Sequence, residues 1–188
     1  MNIQSWWQHR RAQFFLLLGK RERAIGAFEA AQRMDPADIE AAKTLGFLYG
    51  QLGRHDSAVA NLHKVLQANP KDAEMLFNLA YIQQQQNKHA EALTTLQRAL
   101  DASPKLDRAW FGKGLSLAAL GRHEEAVPAF EEAARLQPMN PHALYELGMQ
   151  HHKLGQREKL DEVIKKLSGF DPKVTNLLIE KTSSSRPA

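Results

Sequence analysis

The sequence predicts an all-α solenoid of five helix-turn-helix units, closed by a short C-terminal helix. Three observations carry this. Pro36, Pro70, Pro104, Pro138 and Pro172 lie 34 residues apart. Gly19, Gly53, Gly121 and Gly155 follow the same interval, and the vacant place is filled by Asn87, the residue that best replaces glycine where φ is positive. Apolar residues recur with the helical period: in the second unit Leu45, Leu48, Tyr49 and Leu52 form one stripe, and Val59, Leu62, Val65 and Leu66 form a second that faces it. A period of this length marks an array of supersecondary units, none of which can bury its apolar face alone.

The units are expected at about 5–38, 39–72, 73–106, 107–140 and 141–174, each a helix A and a helix B. In unit two, helix A is predicted from Ile39 to Leu52, Gly53 makes the turn, and helix B runs from His55 to Ala68. Asp38, Asp72 and Asn140 stand where an N-cap accepts hydrogen bonds from the first free N–H groups of the next helix A. Pro141 then takes the first helical position, where a missing N–H is no loss. The proline ending each unit stops helix B by restricting the residue before it. A small residue follows each turn at Ala24, Ala58, Ala92 and Ala126, with Leu160 in the fifth unit. After Pro172, residues 173–181 are expected to form a capping helix, with Leu177, Leu178 and Ile179 covering the last helix B. Residues 1–181 then form one solenoid, and the polar tail 182–188 is expected to be disordered.

The residues carrying the period resemble the tetratricopeptide repeat (TPR) family from about Ser5 to Pro172. The family pattern is W-x2-L-G-x2-Y, then A-x3-F, then P. Unit two reads Ala42, Leu45, Gly46, Tyr49, Ala58, Leu62, Pro70, and unit four reads Trp110, Lys113, Gly114, Leu117, Ala126, Phe130, Pro138. The third unit departs at Ala80 and Gln83, and the first and fifth are the most divergent. The resemblance implies a right-handed superhelix whose A helices line a concave groove holding an extended peptide or a partner's helix. By register, one groove row falls on Lys43, Phe77, Phe111 and Tyr145, and the row one turn later on Phe47, Tyr81, Leu115 and Met149. The core stripe is already supplied by Leu45, Leu79 and Leu147, so this apolar ladder is expected to be a recognition surface. The expected function is therefore a non-enzymatic protein–protein interaction module.

The carboxylate clamp of chaperone-binding relatives is a narrower possibility. Its register falls on Lys43, Phe47, Asn78, Arg108 and Gly112. Lys43 and Asn78 match, Arg108 keeps the charge, and Phe47 and Gly112 break the set. A half-built clamp binds weakly because a desolvated carboxylate needs several donors at once. Lys43, Asn78 and Arg108 are better read as polar anchors around an apolar groove.

Composition narrows the remaining classes. There is no cysteine, so disulfides and thiolate metal sites are excluded. The longest apolar run is Phe14–Leu18, far short of a transmembrane segment, and a cytoplasmic protein is expected. The net charge of +4 gathers at the two ends, while residues 24–152 are slightly acidic. Nucleic acid needs a continuous basic track and is not the expected partner. His55, His89 and His123 recur one per unit, roughly 10 Å apart if the helices stack side by side, so packing and N-terminal hydrogen bonding are expected of them rather than a shared metal. No catalytic set, cofactor motif or metal site is expected.

The first unit is expected to be the end repeat of the array. Trp7, Phe14 and Leu18 share one stripe of its helix A, extended by Ile3, which in later units packs on the preceding helix B. Uncovered apolar surface of this kind marks an interaction site. Self-association through it, giving a homo-oligomer or an end-to-end scaffold, is the alternative function. An N-terminal coil folded over the stripe is the plainer explanation.

Overall fold

Each interval between prolines folds as two helices whose reversal is dictated by backbone conformation. Gly19, Gly53, Gly121 and Gly155 have φ between 68° and 74°, and Asn87 takes the same left-handed conformation at 59°. The computed structural model describes residues 3–183. Its elements are α1 (Ile3–Leu17), α2 (Arg21–Met34), α3 (Ile39–Gln51), α4 (His55–Ala68), α5 (Ala73–Gln85), α6 (His89–Ala102), α7 (Asp107–Ala119), α8 (His123–Leu136), α9 (Pro141–Lys153), α10 (Arg157–Ser168) and α11 (Pro172–Ser183). Among the described residues every regular element is a helix, as an all-α solenoid requires.

The expected caps form. Asp38 accepts from the Ala41 N–H at 2.9 Å, Asp72 from Met75 at 3.2 Å and Asn140 from His142 at 3.0 Å. In the equivalent place before α7 stands Leu106, which is buried and contributes packing instead of a cap.

The chain divides into two compact units, Met1–Ile82 and Gln83–Ala188. In the first, α1 packs on α2, α2 on α3 and α3 on α4. The contacts close where side chains are small: Ala12, Ala24, Ala42 and Ala58 are buried beside Phe28, Leu45 and Leu62. Gly46 lets Leu62 approach so closely that a Cβ there would stand 3.1 Å from it. Polar bonds tie successive hairpins on the B side. Gln32 Nε2 donates to Asn61 Oδ1 at 2.9 Å, and Arg54 reaches Glu22 at 3.0 Å. The buried Tyr49 hydroxyl donates to the Glu29 carboxylate.

The second unit is built on Leu117, Phe130, Leu144, Val163, Leu167 and Leu178. A Cβ on Gly114 would meet the Phe130 ring at 2.6 Å, so the ring occupies the volume that a side chain would need. Gln84, at the end of α5, donates to the Gly112 carbonyl and to Ser116 Oγ, both at 2.7 Å.

The capping helix departs from expectation. It continues to Ser183, two residues into the segment expected to be disordered. There the Thr182 hydroxyl donates to the Leu178 carbonyl at 2.8 Å and the Ser183 hydroxyl to that of Glu180 at 3.1 Å. Residues 184–188 of the expected tail lie outside the described residues. Of the three residues expected to cover the last hairpin only Leu178 does so, seated on Gly148, where a Cβ would lie 2.7 Å from it. Leu177 and Ile179 are exposed, because adjacent helical residues point about 100° apart. Pro172 opens α11 rather than closing α10, which ends at Ser168.

Two outcomes follow from this packing. Gly26 lies mid-helix in α2 with nothing within 4 Å of a Cβ, so Gly26→Ala is expected to stabilise the protein by up to ~1 kcal/mol. Gly114→Ala gains the same propensity but drives a methyl group into Phe130, and is expected to be destabilising by ~1–3 kcal/mol. Chemical denaturation of both variants measures the opposite signs. Burial, and then the bond to Glu29, push the Tyr49 phenol from 10.0 to about 12. Its proton is held more tightly when folded, so its stabilisation is present below pH 10 and is lost as pH rises through about 12. Ultraviolet titration is expected to show a late phenolate step near pH 12 that Tyr49→Phe removes.

Candidate functional site

In the first unit the predicted groove residues lie on α3 and α5. These helices meet where Gly50 has no side chain, a Cβ there being 3.6 Å from Ile82. Leu45 and Leu48 of α3, with Leu76 and Leu79 of α5, turn into the core. Three or four residues per turn then set the other side chains outward. Phe47 is 51% exposed and Tyr81, its equivalent 34 residues on, is 48% exposed. Phe77, Asn78 and Lys43 are half-buried. The Lys43 ammonium stands 3.5 Å from Asp72 and 3.7 Å from Glu40, so its charge is already balanced within the unit.

In the second unit the later row differs from its counterpart in the first. Arg108 is exposed on α7, but Phe111 and Leu115 of α7 and Tyr145 and Met149 of α9 are half-buried against the core. The Phe111 ring meets Phe130 edge-on, with centroids 5.7 Å apart and planes at 62°. Gly114 has no side chain, so Phe130 stands close to α7, where it offers Phe111 an aromatic edge. The expectation that the core makes no demand on these rows therefore does not hold for this unit. Burial raises the Tyr145 phenol, with the Glu146 charge adding to it, and burial likewise raises the Glu146 carboxyl. Gly112 is buried and has no side chain, so this clamp position presents no donor, and its carbonyl accepts from Gln84.

The repeated histidines are half-buried in all three units. His123 Nδ1 lies 2.9 Å from Gln150 Oε1, whereas Nδ1 of His55 and of His89 is buried without a hydrogen-bond partner. A side-chain bond to the following helix A thus forms at one member, because Ile82 and Ser116 occupy the places equivalent to Gln150 and Ser116 is taken by Gln84. Among the described residues no three His, Cys, Asp or Glu side chains gather as metal ligands. No helix among them is long and apolar enough to cross a membrane.

One feature of the first unit escaped sequence reasoning. Trp6, His9, Arg10, Gln13, Asp38 and Glu40 line a hollow of about 310 Å³, in which His9 Nδ1 lies 3.2 Å from the capping carboxylate of Asp38. A His and an Asp 29 residues apart leave no periodic trace, so only folding reveals the pair. Trp7 and Phe14 on α1, and Leu18 just past its end, are exposed.

The sequence profile of the tetratricopeptide repeat matches residues 43–107, 83–141 and 111–156. No curated protein matches the chain. Among solved structures, one of MamA is 23% identical with a TM-score of 0.77, covering 98% of this chain and 98% of that one. MamA from Desulfovibrio magneticus RS-1 is 19% identical with a TM-score of 0.80, covering 100% and 99%. YrrB, described as a TPR protein with an unusual peptide-binding site, is 23% identical with a TM-score of 0.78, covering 93% and 90%. At these identities the likeness speaks for the fold alone. With the profile spanning well over half of the 188 residues, the chain belongs to the tetratricopeptide repeat family.

Proposed function

We propose that the protein is a non-enzymatic interaction module whose A-helix faces bind a polypeptide segment of a partner through apolar side chains. The observation that carries the reading is the outward stance of Phe47 and Tyr81, equivalent rings on adjacent helices in a unit whose core is filled by other residues. Aromatic anchors on such a surface contribute most of the binding energy, while surrounding contacts exclude water. Phe77 is the third proposed apolar contact of this face, and Lys43 and Asn78 its proposed polar ones. In the second unit the proposed contacts are Arg108, Phe111, Leu115, Tyr145 and Met149. The four apolar ones among them present less free surface and are preset by packing, which lowers the cost of ordering them on binding. The description of YrrB as bearing a peptide-binding site agrees in kind.

A carboxylate clamp has less support. Asp72 and Glu40 already neutralise Lys43, and Gly112 gives no donor. Removing the Lys43 ammonium from those carboxylates offsets much of what a new carboxylate returns.

The test is selection of peptides from a random displayed library on the full chain, followed by calorimetry on the double variant Phe47→Ala, Tyr81→Ala. Both rings are outside the core, so helicity is expected to persist. Affinity is expected to fall at least tenfold, ~1.4 kcal/mol or more. Selected peptides that bind the double variant as tightly as wild type would rule out this face.

A further inference from the structure

Helix α1 turns Ser5 and Ala12 toward α2 and buries them. Its other side is covered by nothing among the described residues. Trp7 is 63% exposed, Phe14 57% and Leu17 85%, with Ile3, Trp6 and Leu18 exposed beside them. At 100° per residue Ile3, Trp7, Phe14 and Leu18 make one continuous stripe, and Arg10 and Arg11 fall on its two edges. The Arg10 guanidinium lies 5.3 Å from the Trp6 ring centroid and that of Arg11 5.5 Å from Phe15, so both cations lie along the rings. Lys20, Arg21 and Arg23 follow at once and are exposed. The single acid between Ile3 and Arg23 is Glu22, and it is paired with Arg54.

We propose that α1 is an interfacial anchor that seats the protein on a bilayer surface rich in anionic lipid. Tryptophan and long apolar side chains partition to the boundary between headgroups and acyl chains, and basic residues at the edge of the stripe reach the lipid phosphates. The helix lies in the plane of the surface, since its 15 residues span only about 22 Å. Charge selects this occupant over a second copy of the chain. Two α1 stripes face to face place Arg10 and Arg11 of both copies together. End-to-end stacking meets α10 and α11, where six basic residues (Arg157, Lys159, Lys165, Lys166, Lys173, Lys181) outnumber four acidic ones and offer no net negative counterpart. An acidic peptide answers the arginines but leaves the large apolar groups in water. The proposed anchor is separate from the aromatic face of α3 and α5.

The experiment is co-sedimentation of the full chain with vesicles of mixed phosphatidylcholine and phosphatidylglycerol, and with phosphatidylcholine alone, at low and high salt. Wild type is expected to pellet with the anionic vesicles, to shift its tryptophan emission to the blue on binding, and to be released by salt. Trp7→Ser with Phe14→Ser, and separately Arg10→Glu with Arg11→Glu, are each expected to weaken partitioning ~tenfold or more, with helicity retained because these side chains are exposed. Three results overturn the proposal: wild type that stays in the supernatant with anionic vesicles, charge-reversed protein that binds them as wild type does, or a concentration-dependent mass without lipid that Trp7→Ser abolishes. A soluble polyglutamate peptide that binds as well as the vesicles, independently of Trp7 and Phe14, likewise overturns it in favour of an acidic protein partner.

Discussion

The close approach of two helices at a position with almost no side chain is the constraint on which the rest of the structure depends. Ala12, Gly46, Gly114 and Gly148 occupy one register position, and all are buried. Leu62 presses against Gly46 and Phe130 against Gly114 in the hairpins, and Leu178 of the cap against Gly148. Each large side chain fills volume that a Cβ on its partner would deny it. Deep burial of a Leu or Phe contributes roughly 1.5–3 kcal/mol, so a short hairpin gains most of its cohesion from one or two such insertions. Once a pair has closed there, the directions of every other side chain on both helices follow from the helical period.

Those directions separate surfaces that composition alone would not distinguish. In α3 the same turn that buries Leu45 and Leu48 holds Phe47 outward. In α7 Phe111 leans edge-on against the large ring of Phe130, which Gly114 admits. Polar bonds then join neighbouring hairpins at defined places: Gln32 to Asn61, and His123 to Gln150. Buried polar groups of this kind contribute modest net stability, but they are costly to leave unmatched and so favour one register over its neighbours. The unmatched Nδ1 atoms of His55 and His89 show that the repeat tolerates an occasional omission.

Much of this was legible in the chain. A left-handed turn residue, a small residue five places on and a closing proline, repeated every 34 residues, specify helix, turn and helix with boundaries accurate to a residue at Ile39 and His55. The caps at Asp38, Asp72 and Asn140 follow from local chemistry, since a short acceptor beside free N–H groups needs no distant partner. The reading erred where the outcome depended on a distant contact. Leu177, Leu178 and Ile179 are interchangeable in sequence, and only the seat beside Gly148 picks out Leu178. The extension of α11 through Thr182 and Ser183 rests on hydroxyl-to-carbonyl bonds that a polar, serine-rich composition disguises.

By itself, then, the sequence determined the number and order of the helices, the turns between them and which stripe of each is apolar, because all of these depend on residues within one helical turn of each other. Only the tertiary structure decided which apolar residues remain available to another molecule. Phe47 and Leu115 occupy equivalent places two repeats apart, yet one stands in solvent and the other packs against the core. What stands opposite each side chain is decided only when two helices meet.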